Sequence, residues 1–262
     1  MSDARIAATR TDGILSLTID HVARRNAMTL GMWQELARHC AEAAADPAVR
    51  VVTLTGAGDQ AFCAGADISQ FGEKRSSADA VAEYDQAVAA ANKGLATLGK
   101  PVIALVNGLC YGGGMGLAMA CDVRLAVDTA RFRIPAARLG LGYSFENVRL
   151  LALKLGVATV ADILFTTRVV DAREAAARGI VQATWPASEF ATKAAEYVRG
   201  IAGNAPLTIA AVKRALIEIA KPPGQADPEA VDALVRACFT SADYKEGRAA
   251  FKERRDPKFR GE

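Results

Sequence analysis

The chain has 262 residues, of which 51% are apolar and 23% charged, and this ordinary globular usage excludes a disordered or fibrous protein. Lysine and arginine number 32 against 29 aspartates and glutamates, so the charge disfavours a dedicated nucleic-acid binder and is compatible with an anionic small molecule. Five scattered cysteines without C-x-x-C spacing predict neither a disulfide framework nor a thiolate metal site.

Strand-like and helix-like segments alternate over the first two-thirds of the chain. In order, they predict a strand over 14–19, a helix over 29–45, a strand over 51–55, a helix over 78–98, a strand over 101–106, a helix over 115–120 and a strand over 123–127. Strands separated by helices are typical of parallel βαβ units, so residues 1–191 are predicted to form an α/β core. Helical patterns fill residues 192–262, the second predicted region, which ends in a charged tail. That tail either lies solvated or docks on another subunit.

The opening stretch, MSDARIAATRTDG, has neither the apolar segment of a signal peptide nor a basic amphipathic presequence. The longest apolar run, over 101–121, is interrupted by a glycine triplet that favours a turn. We therefore expect a cytoplasmic protein without a membrane span.

Three patterns resemble well-known sites but lack a required part. The glycines over 56–61 fit a relaxed dinucleotide fingerprint, yet another glycine turn follows where a helix should begin. The two histidines, His21 and His39, have no partner at metal-ligand spacing. Ser144 lies in a partial nucleophile elbow, and no histidine follows it. Dinucleotide, metal and serine-hydrolase chemistry are therefore all disfavoured.

Two further glycine-rich turns, Cys63–Asp67 and Tyr111–Gly116, each come shortly after a predicted strand. Glycine lets backbone amides approach a ligand, and the second turn opens a helix whose first N–H groups are unpaired. Two such turns facing each other could hold one carbonyl oxygen as it becomes an enolate oxyanion. Spacing alone favours the other interpretation, in which both turns serve only close packing.

Four segments together resemble the crotonase (enoyl-CoA hydratase/isomerase) superfamily over nearly the whole chain. Arg25-Asn26-Ala27-Met28 is similar to the family's entry to its first helix. Residues 51–68 (VVTLTGAGDQAFCAGADI) resemble its first hallmark, and residues 101–126 resemble its second, which contains the glycine triplet. The tail EGRAAFKERRDPKF over 246–259 resembles the family ending. The resemblance implies a crotonase-type ββα spiral core with a helical C-terminal oligomerisation region.

The resemblance also implies an acyl-CoA ligand, with coenzyme A as part of the substrate and no further cofactor, and a role in fatty-acid or other acyl-CoA metabolism. It assigns the oxyanion hole to the backbone N–H groups of Ala66 and Gly113. The resemblance also implies that the chain forms trimers, which in this family are often paired into hexamers. The implied contacts to coenzyme A are Arg25, Ala64, Asp67 and Ile68 and, from a neighbouring subunit's tail, Phe251 and Arg254.

Two departures from the family pattern bear on mechanism. The two glutamates that activate water in hydratases of this family correspond by motif to Gly116 and Ala136, so both carboxylates are absent. Tyr143 lies in a segment similar to that of decarboxylases in the superfamily, and is either a proton donor or a half-buried aromatic. Glu146 is either a relocated base or a favourable charge in a first helical turn that Ser144 caps.

We predict an acyl-CoA-processing enzyme of this family that stabilises a thioester enolate in a backbone oxyanion hole and lacks the usual glutamate pair. Its chemistry is expected to be isomerase- or decarboxylase-like, because hydration through that pair should be severely impaired. A decarboxylase-like member and a non-catalytic acyl-CoA binding protein are the alternatives.

Overall fold

Strands and helices follow one another in a repeating ββα order. The computed structural model describes residues 4–67 and 78–262. The strands are β1 (Arg5–Thr11), β2 (Ile14–Asp20), β3 (Val51–Gly56), β4 (Ala61–Cys63), β5 (Val102–Val106), β6 (Leu109–Tyr111), β7 (Val123–Val127), β8 (Arg131–Arg133), β9 (Val170–Asp171) and β10 (Ala183–Trp185). The helices are α1 (Leu30–Ala45), α2 (Ala78–Thr97), α3 (Gly113–Ala120), α4 (Phe145–Leu155), α5 (Val157–Thr166), α6 (Ala172–Ala177), α7 (Ala187–Ala202), α8 (Pro206–Ile219), α9 (Pro228–Thr240) and α10 (Ala242–Glu253).

Two sheets form the core, a six-stranded one in the order β1-β2-β3-β5-β7-β10 and a four-stranded one in the order β4-β6-β8-β9. The pairs β3/β4, β5/β6 and β7/β8 each give their first strand to the larger sheet and their second to the smaller sheet. The central strands of the larger sheet are parallel and almost wholly buried, as their continuous apolar runs require. This alternation is the ββα spiral, so the predicted crotonase-type core is confirmed.

The long predicted elements agree with the structure to within two residues at most of their ends. Strands of the smaller sheet were not predicted, since they have only two or three residues each. One of them, β4, follows the glycines over 56–61, so no helix begins there as a dinucleotide fold would need. The predicted boundary at residue 191 lies inside α7, whose apolar face is buried against the larger sheet. The division into two regions stays a prediction.

Helix α1 lies between β2 and β3 in the chain, and Met28, just before its start, contacts the turn that follows β4. Its start is set by Thr29, whose side chain accepts a hydrogen bond from the Met32 N–H, and it ends before Asp46 and Pro47. Its buried face includes Met32, Trp33 and Leu36, at the spacing of successive helical turns. This face packs on α2, so the two helices together cover one side of the core.

A buried group of charges joins the C-terminal end of α3 to the last helices. The side chain of Lys213 on α8 is 4% exposed and forms an ion pair with Asp122, whose other oxygen accepts a hydrogen bond from the Val102 N–H at 2.8 Å. Lys154 donates to the Cys121 carbonyl at 2.6 Å, and Arg124 donates to the same carbonyl at 3.0 Å. This carbonyl lies at the negative end of α3, which favours the two cations.

Lys154 gives folding a specific pH dependence. Burial, with Arg124 and Lys213 as nearby cations, lowers its pKa from the ordinary 10.5 to about 8. Between these values the unfolded chain binds more protons than the native one, so stability rises with pH over this window. We expect Lys154→Met to flatten the rise, measured by urea unfolding at pH 7 and pH 9.5. A stability difference between wild type and variant that is equal at both pH values would contradict this assignment.

Several large apolar side chains are exposed on the C-terminal half of the chain. On α8 the sequence places Ile209, Val212, Leu216 and Ile219 on one face, and the last three are more than half exposed whereas Ile209 is half-buried. Phe145 on α4 and Phe165 on α5 are also exposed. An apolar helix face that is exposed is typical of an interface with another chain. Among the helices within 4–67 and 78–262, none is both long enough and apolar enough to cross a bilayer.

Candidate active site

The turn after β4 is held to the start of α1 by its main chain. The Met28 N–H donates to the Gly65 carbonyl at 2.8 Å, and the Asp67 N–H donates to the Met28 carbonyl at 2.9 Å. Gly65 has φ +111°, which a residue with a Cβ rarely adopts. Between these two anchored residues, the Ala66 N–H donates to no acceptor within the described part of the chain. It is therefore free to bind a ligand.

The second turn ends in the first residue of α3. Gly112 is fixed by its N–H, which donates to the Arg133 carbonyl at 2.8 Å, and Gly113 then begins the helix. Gly114 must lack a side chain, because a Cβ there would lie 2.3 Å from the Cys63 carbonyl oxygen. The Gly113 N–H has no acceptor among the residues that the structure describes, as is usual in the first turn of a helix.

Both turns leave the same edge of the smaller sheet, since β4 and β6 are paired in parallel with Cys63 opposite Cys110. A Cβ atom on Gly113 would lie 3.6 Å from the Ala66 nitrogen, and one on Gly65 would lie 3.5 Å from the Gly113 nitrogen. The structure thus brings Ala66 and Gly113 together, with their unpaired amides across one narrow gap. Two convergent donors at a helix N-terminus suit an oxygen that gains negative charge.

The two positions that lack carboxylates have different surroundings. Gly116 lies in α3, one turn beyond Gly113, and a Cβ atom there would meet nothing within 4 Å. Ala136 is half-buried in a short 3-10 turn, Ala136–Arg138, and packs against the core. Neither residue brings a polar side chain toward the amides, so α3 presents only backbone donors on this side.

Tyr143 and Glu146 occupy contrasting places near the start of α4. Tyr143 is half-buried against the core, and burial raises the pKa of its phenol to about 12. Glu146 has 77% of its side chain exposed, lies 3.8 Å from the Arg149 guanidinium and follows the N-cap Ser144, which accepts from the Asn147 N–H. This is the placement of a charge that favours the helix start, whereas a catalytic role for either residue stays a prediction.

Comparisons with known proteins identify the family. The model of the enoyl-CoA hydratase/isomerase family matches residues 9–262. The chain belongs to this family. A carnitinyl-CoA dehydratase from Proteus mirabilis is 35% identical over 224 residues, which cover 82% of this chain and 83% of that protein. A short-chain-enoyl-CoA hydratase from Clostridium acetobutylicum is 33% identical over 246 residues, or 91% of each chain.

Solved structures of the enoyl-CoA hydratase/isomerase family share the whole fold. An enoyl-CoA hydratase/carnithine racemase from Magnetospirillum magneticum has a TM-score of 0.92 at 31% identity, with 100% of this chain and 97% of that chain covered. An enoyl-CoA hydratase from Bacillus anthracis has a TM-score of 0.88 at 28% identity, covering 98% and 99%. The membership in the crotonase superfamily that the motifs indicate is therefore confirmed.

The coenzyme A contacts implied by the family resemblance lie in two separate places. Arg25, Ala64 and Asp67 surround the first turn, where the Ala64 N–H donates to the Arg25 carbonyl at 3.0 Å. Phe251, with 89% of its surface exposed, and Arg254 lie at the end of α10. Ile68 lies outside the described residues. The resemblance assigns these tail residues to a nucleotide bound on another subunit, and that assignment stays a prediction.

No metal site or reactive thiol is evident in the described ranges. No three side chains among His, Cys, Asp and Glu within 4–67 and 78–262 gather as a metal would need. Burial raises the pKa of the Cys63 and Cys121 thiols to about 12, so both stay protonated and unreactive at neutral pH. Backbone amides are therefore the chemically distinctive groups of this site.

Sequence reasoning missed the side chains that support the two turns. Asn26 is buried, and its amide donates to the carbonyls of Ala57 and Ala61 at 2.9 and 2.7 Å, which fastens the loop before β4. Trp33 is also buried, with its Cζ2 atom 3.4 Å from where a Gly113 Cβ would lie. The Arg25–Met28 motif was the available signal for Asn26, whereas periodicity marks Trp33 only as a core residue.

Proposed function

We propose that this chain is an acyl-CoA enzyme in which the Ala66 and Gly113 amides stabilise the enolate oxyanion of a coenzyme A thioester. One observation carries the proposal: two backbone N–H groups that have no acceptor among the described residues lie close together where the turn after β4 meets the N-terminus of α3. Such donors act where charge develops during reaction, and removal of one costs about 2.7–4 kcal/mol in known oxyanion holes. The names of the two relatives, both for enzymes of CoA thioesters, support the ligand class.

We further propose that the reaction does not depend on a pair of glutamates. Gly116 and Ala136 supply no group that could hold or activate water, and a positioned acid or base contributes about 10²–10⁴ in rate. An oxyanion hole without that pair suits loss of a carboxylate as carbon dioxide, because the electrons of the broken C–C bond form the enolate without a base. Double-bond isomerisation is the other class that fits, but it also needs a base that takes the α-proton and returns it at the γ-carbon, and Glu146 is the candidate for that base.

The test uses the purified full-length protein and three kinds of ester. Crotonyl-CoA reports hydration through loss of its conjugated absorbance, a 3-enoyl-CoA reports isomerisation through gain of it, and malonyl-type esters report decarboxylation by mass spectrometry. We expect turnover of a 3-enoyl or malonyl-type ester that exceeds hydration. Hydration faster than both other reactions would refute the proposal. Tight binding of butyryl-CoA in calorimetry without any turnover would favour the non-catalytic binding protein.

Decarboxylation is the second candidate, because of the environment of Tyr143. Burial raises its pKa to about 12, so the phenol stays protonated at neutral and mildly alkaline pH and is suited to act as a proton or hydrogen-bond donor there. We expect Tyr143→Phe to lower the rate of malonyl-type decarboxylation about 100-fold. In the wild type, the rate should not decline below pH 10 through ionisation of Tyr143. The matched control is Tyr197→Phe on α7, which should keep the wild-type rate. Equal rates in both variants would remove Tyr143 from the mechanism.

We also propose that the active protein is a homotrimer or a pair of trimers. The exposed apolar face of α8 and the exposed Phe145 and Phe165 supply surface that a partner chain would cover. Such an assembly would also give Phe251 and Arg254 a neighbouring nucleotide to contact. Light scattering at micromolar concentration is expected to give a mass that is a multiple of three chains, and a monomer with full activity would refute this.

A further inference from the structure

The first turn of α1 contacts both of the turns that carry the proposed oxyanion donors. On one side, the Met28 main chain exchanges hydrogen bonds with Gly65 and Asp67 at 2.8 and 2.9 Å, so that Met28 and Ala66 form a parallel bridge. Met28 immediately precedes Thr29, the residue that caps α1. The position of the Ala66 amide is therefore tied to the start of this helix.

The second turn, at Gly113, is contacted by the side chain of Trp33, one helical turn after Thr29. The Trp33 N–H donates to the Thr29 carbonyl at 3.1 Å, so the residue belongs to the first turn of α1. Its indole is 1% exposed, and the Cζ2 atom lies 3.4 Å from where a Gly113 Cβ would be. A Cβ there would just reach van der Waals contact, so the gap between the ring and Gly113 has room for no more than a methyl group, and the ring limits how closely Gly113 can approach α1.

The indole is itself held in one orientation. Its Nε1–H donates to the Tyr84 hydroxyl at 2.9 Å, in a hydrogen bond that is buried and joins α1 to α2. Tyr84 is 4% exposed, so water does not compete for this bond. The Cζ2 atom is two bonds from Nε1 on the same edge of the indole, so the hydrogen bond to Tyr84 also fixes the atom that lies nearest to Gly113.

We propose that Trp33, oriented by Tyr84, is a positioning residue that sets the separation of the Ala66 and Gly113 amides. The first turn of α1 then acts as a spacer, with Met28 fixing one donor and Trp33 the other. Neither aromatic side chain touches the thioester in this role, because both act through Gly113. The inference rests on the proposed function, since it matters only if the two amides share one oxygen. Displacement of a catalytic group by about 1 Å costs about 100-fold in rate.

The test compares Trp33→Phe and Tyr84→Phe with Cys40→Ala. Cys40 is buried on α1 two turns further on and lies against Gly94 of α2, so its truncation loosens the same helix pair away from the turns. We expect kcat to fall about 10- to 100-fold in Trp33→Phe and about 3- to 10-fold in Tyr84→Phe, with KM changed less than about 3-fold in both. Cys40→Ala should lower the thermal midpoint and leave kcat unchanged.

A spectroscopic readout separates donor geometry from general stability. Carbonyl-labelled [1-¹³C]butyryl-CoA, which has no double bond or carboxylate to react, reports hydrogen bonding through the infrared frequency of its thioester carbonyl. We expect a shift to lower frequency on binding to wild type and to Cys40→Ala, and a smaller shift with the two aromatic variants. If Trp33→Phe does not fold, Tyr84→Phe carries the comparison.

The outcomes distinguish this inference from the proposed function. A carbonyl shift and a kcat in Tyr84→Phe and Trp33→Phe equal to those of wild type would overturn the positioning role alone. A loss of kcat in Cys40→Ala as large as in Trp33→Phe would also overturn it, because the effect would then come from helix packing. Absence of any carbonyl shift in the wild-type complex would refute the shared oxyanion site, and the positioning role with it.

Discussion

Replacement of Gly113 by proline is expected to lower kcat about 100- to 1,000-fold while thioester binding changes little. Proline removes the backbone N–H at the first position of α3, and this is the helical position that tolerates proline best. Its Cβ would lie 3.4 Å from Trp33 and 3.6 Å from the Ala66 nitrogen, which are contact distances and not clashes. The loss corresponds to one oxyanion donor, about 2.7–4 kcal/mol.

The matched control for this variant is Gly113→Ala, which adds the same Cβ and keeps the N–H. Steady-state kinetics with an ester that wild type turns over gives kcat, and calorimetry with butyryl-CoA gives the dissociation constant. Circular dichroism checks that both variants fold. If proline and alanine reduce kcat equally, the Gly113 amide is not the donor, and steric filling of the gap explains the loss.

The second large effect is faster hydration when carboxylates are placed at Gly116 and Ala136. We expect the double variant Gly116→Glu with Ala136→Glu to hydrate crotonyl-CoA at least 100-fold faster than wild type, because a positioned acid and base supply about 10²–10⁴ in rate. The open space around the Gly116 Cβ position means that a side chain enters there without displacing a neighbour. Loss of the conjugated absorbance of crotonyl-CoA measures the rate.

The control for this gain is the corresponding pair of glutamines, which have the same shape and cannot exchange a proton. Hydration should stay at the wild-type level in that variant. Fast hydration by wild type before any substitution would contradict the premise that Gly116 and Ala136 leave the site without its water-activating groups. A gain in the glutamine variant equal to that of the glutamates would indicate an effect of packing.

The sequence predicted the long elements of the fold well, because strands such as Val51–Gly56 and helices such as α1 have strong periodicity. It did not predict the smaller sheet, since three-residue strands such as β4 and β6 are too short to show alternation. Their parallel pairing is nevertheless what sends both glycine turns to one edge. The pairing of these strands therefore determines where the site forms, and the local sequence pattern does not show that pairing.

The candidate site was only partly predictable for a similar reason. Glycine clusters showed that two turns allow close approach of the backbone, and the family resemblance singled out Ala66 and Gly113. The supporting pair could not be found in this way, because Trp33 and Tyr84 are 51 positions apart and each fits an ordinary buried helical face. Contacts between side chains on different helices depend on how the helices pack, which one sequence does not specify.

The buried pair of Lys213 and Asp122 makes the last helices inseparable from the rest of the chain. A protease cut in the connection between α7 and α8 would let Lys213 leave, and the Asp122 carboxylate would then face the interior without its counter-ion. Loss of one partner from a fully buried pair costs about 3–5 kcal/mol, and the cost is smaller here because 23% of the Asp122 side chain is exposed. We therefore expect forms that end before α8 to be less stable than the whole chain and more prone to accumulate as insoluble protein.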